Sequence, residues 1–136
     1  MHVEPYLFFN GRCEEAIECY RLIFGSPAAE LMRYQNSPEP PPMPLPPNWG
    51  PKIMHGAFRI GDTVIMASDG CSAEPAPFAG FSLSVTMPNA QAAALAFERL
   101  AEGGDIRMPL GATFFSPCFG MVADRFGICW MLIVAA

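Results

Sequence analysis

Lysine is almost missing from this chain, with Lys52 the only one in 136 residues. Lysine and arginine together number 8 against 13 aspartates and glutamates, a formal net charge of −5. Proteins that grip a phosphate backbone need a basic face, so this balance argues against nucleic-acid binding. Charge of either sign is scarce at 15%, while hydrophobic residues reach 51%. That excess of apolar side chains excludes disorder for the bulk of the chain, because its burial offsets the ordering entropy. Long apolar runs are also lacking. The longest, Ile128–Ala136, is strand-sized, whereas a membrane span needs about 20 residues. The opening Met1-His2-Val3-Glu4-Pro5 has neither the positive start nor the apolar centre of an export signal. No GxGxxG or Walker pattern occurs, so nucleotide chemistry on a glycine-rich turn is unsupported, and no such turn offers a seat for S-adenosylmethionine. The cysteines Cys13, Cys19, Cys71, Cys118 and Cys129 are odd in number and form no CxxC pair. Reduced thiols in a cytoplasmic protein are the simplest reading.

Proline is abundant in one place. Pro38–Pro51 holds eight of the fifteen prolines. Proline lacks an amide donor and fixes φ, so this stretch is excluded from sheet and helix interiors and reads as a long surface loop of polyproline character. It is open to three uses: a variable insertion, a lid with Trp49 and Met43 as apolar contacts, or a docking segment for a proline-reading partner.

The rest alternates between two periods. Pro5–Asn10 is a short aromatic run, hence a strand. Ala16, Ile17, Tyr20, Ile23 and Phe24 then share one helical face. Glu14 and Glu15 suit its first turn and Gly25 and Pro27 stop it. Ala29–Tyr34 is a weaker strand. Ile53–Ile60 and Val64–Ser68 flank Gly61-Asp62 as a hairpin. A second series follows: a strand over Phe81–Met87, a helix opened by Pro88-Asn89 and ended by Gly103-Gly104, a strand over Ile106–Leu110, and a hairpin of Phe119–Ala123 with Ile128–Val134. The order strand, helix, three strands therefore occurs twice, in units of about 60 residues that each hold too little core alone.

These duplicated βαβββ units resemble the vicinal oxygen chelate superfamily, which includes glyoxalase I, extradiol dioxygenases and the fosfomycin and bleomycin resistance proteins. The chain is most similar to the PhnB-like branch. The resemblance lies in Pro5-Tyr6-Leu7-Phe8-Phe9-Asn10-Gly11 with Glu15-Ala16-Ile17 and Tyr20, Phe24-Gly25, Lys52-Ile53-Met54-His55, Met66-Ala67-Ser68-Asp69, Gly80-Phe81-Ser82-Leu83-Ser84-Val85, and Phe119-Gly120-Met121 with Asp124, Phe126-Gly127 and Trp130. It covers nearly the whole chain outside the proline loop. It implies an α+β fold in which two βαβββ modules, about 1–70 and 78–136, form a single glyoxalase-like domain, with a cup-shaped mixed sheet, helices outside and a site inside the cup. It also implies a homodimer.

In metal-dependent members, four strand positions supply His, Gln or Glu to a divalent ion that stabilises an enolate or alkoxide. The resemblance places those positions near Pro5, on His55, near Gly80 and near Met131. Of these only His55 can ligate, because Pro5 and Gly80 offer no side-chain donor and Met131 is a soft thioether. The expectation is therefore a chain without metal or other cofactor.

His55 is the interior histidine. It is either a strand residue satisfied by backbone or water, or a general base or hydrogen-bonding group for a ligand, roles an imidazole can fill near neutral pH. Phe8, Phe119, Met121, Trp130 and Met131 form an apolar set that either packs a core or lines the cup. Asp69 precedes Gly70, and Asp124 precedes Arg125-Phe126-Gly127, so turn chemistry accounts for both. Asp69 stays among the ligand-binding candidates. Cys118 and Cys129 read as buried, inert thiols. The expected function is metal-free binding of a neutral or cationic small molecule in the cup. The rivals are a metal-dependent lyase, isomerase or dioxygenase and a protein-interaction module.

Overall fold

A computed structural model describes residues 1–136. The elements are β1 (Tyr6–Phe8), α1 (Cys13–Phe24), β2 (Glu30–Arg33), β3 (Ile53–Ile60), β4 (Thr63–Ser68), β5 (Leu83–Met87), α2 (Ala90–Ala101), β6 (Asp105–Gly111), β7 (Cys118–Ala123) and β8 (Cys129–Val134). They divide into two compact units, Met1–Ala76 and Pro77–Ala136. Each is a βαβββ module of the order expected, so the chain is α+β.

The first unit is a four-stranded sheet in the order β1-β4-β3-β2. β1 runs parallel to β4, and the other pairs are antiparallel. α1 lies on one face of this sheet, where Ala16, Ile17 and Tyr20 are buried with Phe58, and Tyr20 stacks on Phe58 at 6.1 Å between ring centroids. Gly56 of β3 lets that helix approach: a Cβ there would lie 2.9 Å from Leu31 Cδ2 and 3.1 Å from Ile17 Cδ1. Ile23 and Phe24 complete the helical period but are only half-buried, because the helix ends at them.

The start of α1 has an unusual cap. Arg12 at the N-cap makes no side-chain capping bond to the first turn's amides; its guanidinium donates to Glu15 instead. Asp69, from the end of β4, accepts instead from the amides of Gly11 at 2.7 Å and Cys13 at 2.8 Å. A carboxylate held there satisfies donors the first turn leaves open and complements the helix dipole.

The second unit repeats the plan as β5-β8-β7-β6, with β5 parallel to β8. Asn89 caps α2 conventionally, its side-chain oxygen accepting from Ala92 N at 2.8 Å. Ala93, Ala96, Phe97 and Leu100 are buried with Val122, Trp130 and Leu132. Edge strand β6 slips register against β7 between Ile106 and Met108 and again between Met108 and Gly111. Pro109 in that stretch has no amide to give to the ladder.

The proline segment lies outside both helices and strands, as expected. The strand read over Ala29–Tyr34 stops at Arg33 and passes into a 3-10 turn, Tyr34–Asn36. There the amides of Tyr34 and Gln35 donate to Lys52 O and Gly50 O, tying the two ends of the proline loop together. No helix is long and apolar enough to cross a membrane.

Candidate functional site

Strand alternation and register decide which side chains share a face. In the first sheet, Tyr6 pairs with Met66, Met66 with Ala57, and Met32 with His55. Tyr6, Met66, Ala57, His55 and Met32 therefore stand together on the face opposite α1. Phe8, two residues beyond Tyr6, joins them with ring centroids 5.1 Å apart. Tyr6 Oη and His55 Nδ1 lie 3.1 Å apart, and the rings approach to 5.6 Å. Phe8, His55 and Met32 are exposed, as is part of Tyr6. The other imidazole nitrogen, Nε2, makes no hydrogen bond within the chain.

In the second sheet, Ser84 pairs with Met131, Met131 with Met121, and Met121 with Met108. These four form a row across the face opposite α2. Phe119 pairs with Ile133 in the next row of that face. Phe115 reaches Phe119 edge-on at 5.0 Å, and Phe114 packs on Phe115 at 5.1 Å.

The match to known proteins fits this layout. A family model described as 3-demethylubiquinone-9 3-methyltransferase matches residues 1–133. Protein YjdN of Escherichia coli K12 is 31% identical, over 98% of this chain and 95% of its own length. The chain belongs to the PhnB-like family that this model describes. The crystal structure of protein PA1353 from Pseudomonas aeruginosa superposes with a TM-score of 0.86 at 39% identity, covering 99% of this chain and 98% of that one. A PhnB protein from Bacillus cereus does so with a TM-score of 0.83 at 28% identity, covering 99% and 100%. A glyoxalase/bleomycin resistance protein from Albidiferax ferrireducens T118, at a TM-score of 0.66 and 11% identity over 98% of each chain, shares the fold alone.

The four metal positions that the resemblance implies can be tested on this PhnB-like chain. Pro5 contributes only its carbonyl, which accepts from Met66 N at 3.0 Å. Gly80 lies in irregular backbone before β5 with φ at +79°. Met131 is flanked by Ser84 and Met121. His55 has a phenol and a thioether beside it. No three His, Cys, Asp or Glu side chains converge anywhere in the chain. The chain's own donors do not fit a resident divalent metal.

The remaining candidates divide cleanly. Of the ligand-binding set, the first sheet brings Phe8 and His55 together, and the second brings Phe119, Met121 and Met131 together. Trp130 is not with them. It alternates with Met131, faces α2 beside Val122 and Leu83, and is fully buried. Its indole N–H donates to Asp124 Oδ2 at 2.8 Å, so it presents no surface to a ligand. Asp69 is likewise 1% exposed. Its second oxygen accepts from Ile53 N at 2.8 Å, which leaves the carboxylate engaged by three backbone amides. Its partners lie far along the chain, so it does more than shape a local turn. Asp124 does act locally, accepting from Phe126 N and Ile128 N.

Tyr6 and the two methionines beside His55 were not among the sequence candidates. The i, i+2 spacing of Tyr6 and Phe8 could have revealed Tyr6. Met66 and Met32 depend on inter-strand register, which the sequence does not display.

A separate cleft of about 430 Å³ opens at the start of α1, lined by Glu14, Glu15, Arg33, Lys52 and neighbours. Its charges are taken up internally. Arg33 donates to both oxygens of Glu14 at 3.0 and 2.6 Å, and Lys52 Nζ donates to Gly11 O at 2.7 Å. The Arg33 hydrogen bonds hold the Glu14 carboxyl below the usual range. Cys13, beneath Asp69, has its thiol pushed far up, by burial first and then by the Asp69 and Glu14 charges. It is a poor nucleophile. The second unit contains no histidine, so Cys118 and Cys129 have no imidazole base within it.

Proposed function

We propose that this PhnB-like chain binds a small molecule through the open face of its first sheet, using its own side chains rather than a resident metal. One observation carries the reading: an exposed imidazole, hydrogen-bonded at Nδ1 to a tyrosine and free at Nε2, stands beside two exposed aromatic rings. Aromatic faces favour a flat, apolar ligand, and one convergent polar group orients it. A tyrosine hydroxyl can donate or accept, so the Tyr6–His55 bond survives either imidazole tautomer. Nε2 can then present a proton to a carbonyl oxygen or a lone pair to a hydroxyl. The net charge of −5 favours neutral or cationic ligands over anions. Methyl transfer, which the family model's description names, has no support from residues here.

A homodimer and a cytoplasmic location belong to the same proposal. The five free thiols suit a reducing compartment.

The test combines metal analysis with ligand screening on untagged protein. We expect substoichiometric metal after incubation with Zn²⁺, Mn²⁺, Ni²⁺ and Fe²⁺. In a thermal-shift panel, neutral and cationic aromatic compounds should raise Tm more than anionic ones. His55→Ala should weaken binding of the best compound about tenfold, equivalent to about 1.4 kcal/mol. One tightly held metal per chain, or ligand shifts unaffected by His55→Ala, overturns the reading. Light scattering at twice 14.8 kDa is expected for the dimer, and the monomer mass contradicts it.

A further inference from the structure

The segment Pro38–Pro47 takes no part in the site above. Every residue in it is a proline or directly precedes one. A proline ring sets φ near about −65° and pushes the residue before it toward extended backbone. Ser37, which leads into the segment, already has φ −68° and ψ 136°, close to polyproline II geometry. No peptide bond is cis. Bends at Pro38–Glu39 and Pro42–Met43 divide the segment into short extended pieces. At its start the Ser37 hydroxyl donates to Glu39 O at 2.9 Å and accepts from Glu39 N at 3.4 Å. Pro38–Pro44 are all exposed, and Met43 keeps 58% of its surface.

The base of the segment is the opposite of loose. Trp49 is buried, and its Nε1–H donates to Gly70 O at 2.8 Å. The Tyr34 hydroxyl donates to the same carbonyl at 2.9 Å. Gln35 N–H donates to Gly50 O across the loop ends at 2.9 Å. Trp49 is therefore an anchor, which removes one of the two apolar contacts a lid would have used.

We propose that Pro38–Pro47 is a docking segment for a protein with an aromatic-lined groove that reads polyproline conformation. Stiff, exposed prolines lose little entropy on binding, and their rings fill the slots between aromatic side chains. The clamped base fixes the two ends of the loop while Pro38–Pro44 stay exposed. Glu39 is its only charged residue, so a basic rim on the groove complements it.

The test titrates the full chain into three ¹⁵N-labelled proline-reading probes: a WW domain, an SH3 domain and a profilin. We expect saturable shifts confined to the groove aromatics of at least one probe. The quadruple change Pro40→Ala, Pro41→Ala, Pro42→Ala and Pro44→Ala should weaken that binding at least tenfold. The variant should keep the wild-type tryptophan emission, and a second variant with Gly-Ser in place of 38–44 controls for effects of the alanines. Silence from all three probes, or equal binding by the wild type and both variants, overturns the proposal. So does a silent panel in which the variants instead change aromatic-ligand affinity, which points to a lid, or change the mass in light scattering, which points to a contact between copies.

Discussion

Tyr6 and His55 stand 49 residues apart in sequence, yet their side chains meet at 3.1 Å on one face of the first sheet. The strand between them, β4, places Met66 on that face in register with Tyr6 and with Ala57. Because both residues are partly exposed, the bond contributes little to folding. We expect Tyr6→Phe to change stability by no more than about 0.5 kcal/mol. The imidazole should respond much more. In long-range ¹H–¹⁵N spectra, the Nδ1 and Nε2 shifts of His55 should move toward the tautomer balance of free histidine in Tyr6→Phe. Unchanged nitrogen shifts would show that the hydrogen bond is not populated in solution.

Asp69 has the opposite character. It was a ligand candidate, and its surroundings make it a keystone of the first unit. Its two oxygens accept from Gly11, Cys13 and Ile53 amides, which joins the start of α1 to the start of β3. Asp69→Ala leaves these donors without their partner, each costing about 1–3 kcal/mol when buried. We expect a total loss of about 3–5 kcal/mol, at the upper end for single substitutions, read from urea unfolding. A loss below about 1 kcal/mol, within the range of an ordinary surface change, would show that water replaces the carboxylate without penalty.

Asp124 and Trp130 make the corresponding test in the second unit. Their hydrogen bond, at 2.8 Å, is buried and charge-assisted. A double-mutant cycle with Asp124→Asn and Trp130→Phe should give a coupling energy of about 1–3 kcal/mol. The same cycle separates the two views of Trp130. A core residue couples to Asp124 and leaves ligand affinity unchanged once the fold is intact, whereas a ligand contact does the reverse.

The contrast between Trp130 and Met131 shows where sequence reading reaches its limit. Periodicity and turn residues located all ten helices and strands, because Gly61-Asp62, Asn89 and Gly127 act locally. Element ends moved by a residue or two, as with β1, which is confined to Tyr6–Phe8. Which strand face looks at a helix is a different matter. It depends on the helix that covers the sheet, and in an apolar run such as Cys129–Val134 both faces carry hydrophobic side chains. No alternation then separates Trp130 from Met131. Asp69 escaped for a related reason: a residue beside Gly70 looks like turn chemistry, and its real partners are brought to it by the pairing of β4 with β1 on one side and with β3 on the other.

The hydroxyl of Tyr34 carries the pH test. Burial first, and then the neighbouring Cys71 thiol, push its pKa up to about 12, against an ordinary value of about 10. The folded state therefore holds this proton more tightly than the unfolded chain does. Below about pH 10 both states are protonated, and the full contribution to stability is present. As pH rises from there toward about 12, the unfolded state sheds the proton first and the contribution drains away. Tyr34→Phe removes the titrating group but leaves Gly70 O with the Trp49 donor, so its cost at neutral pH should be that of one hydrogen bond, about 1 kcal/mol. Urea midpoints measured across this alkaline window should fall more steeply in the wild type than in Tyr34→Phe, and the two curves should converge. Parallel curves would mean that Tyr34 ionises as freely in the folded chain as in the unfolded one, and that the clamp at the base of the proline loop is open to water.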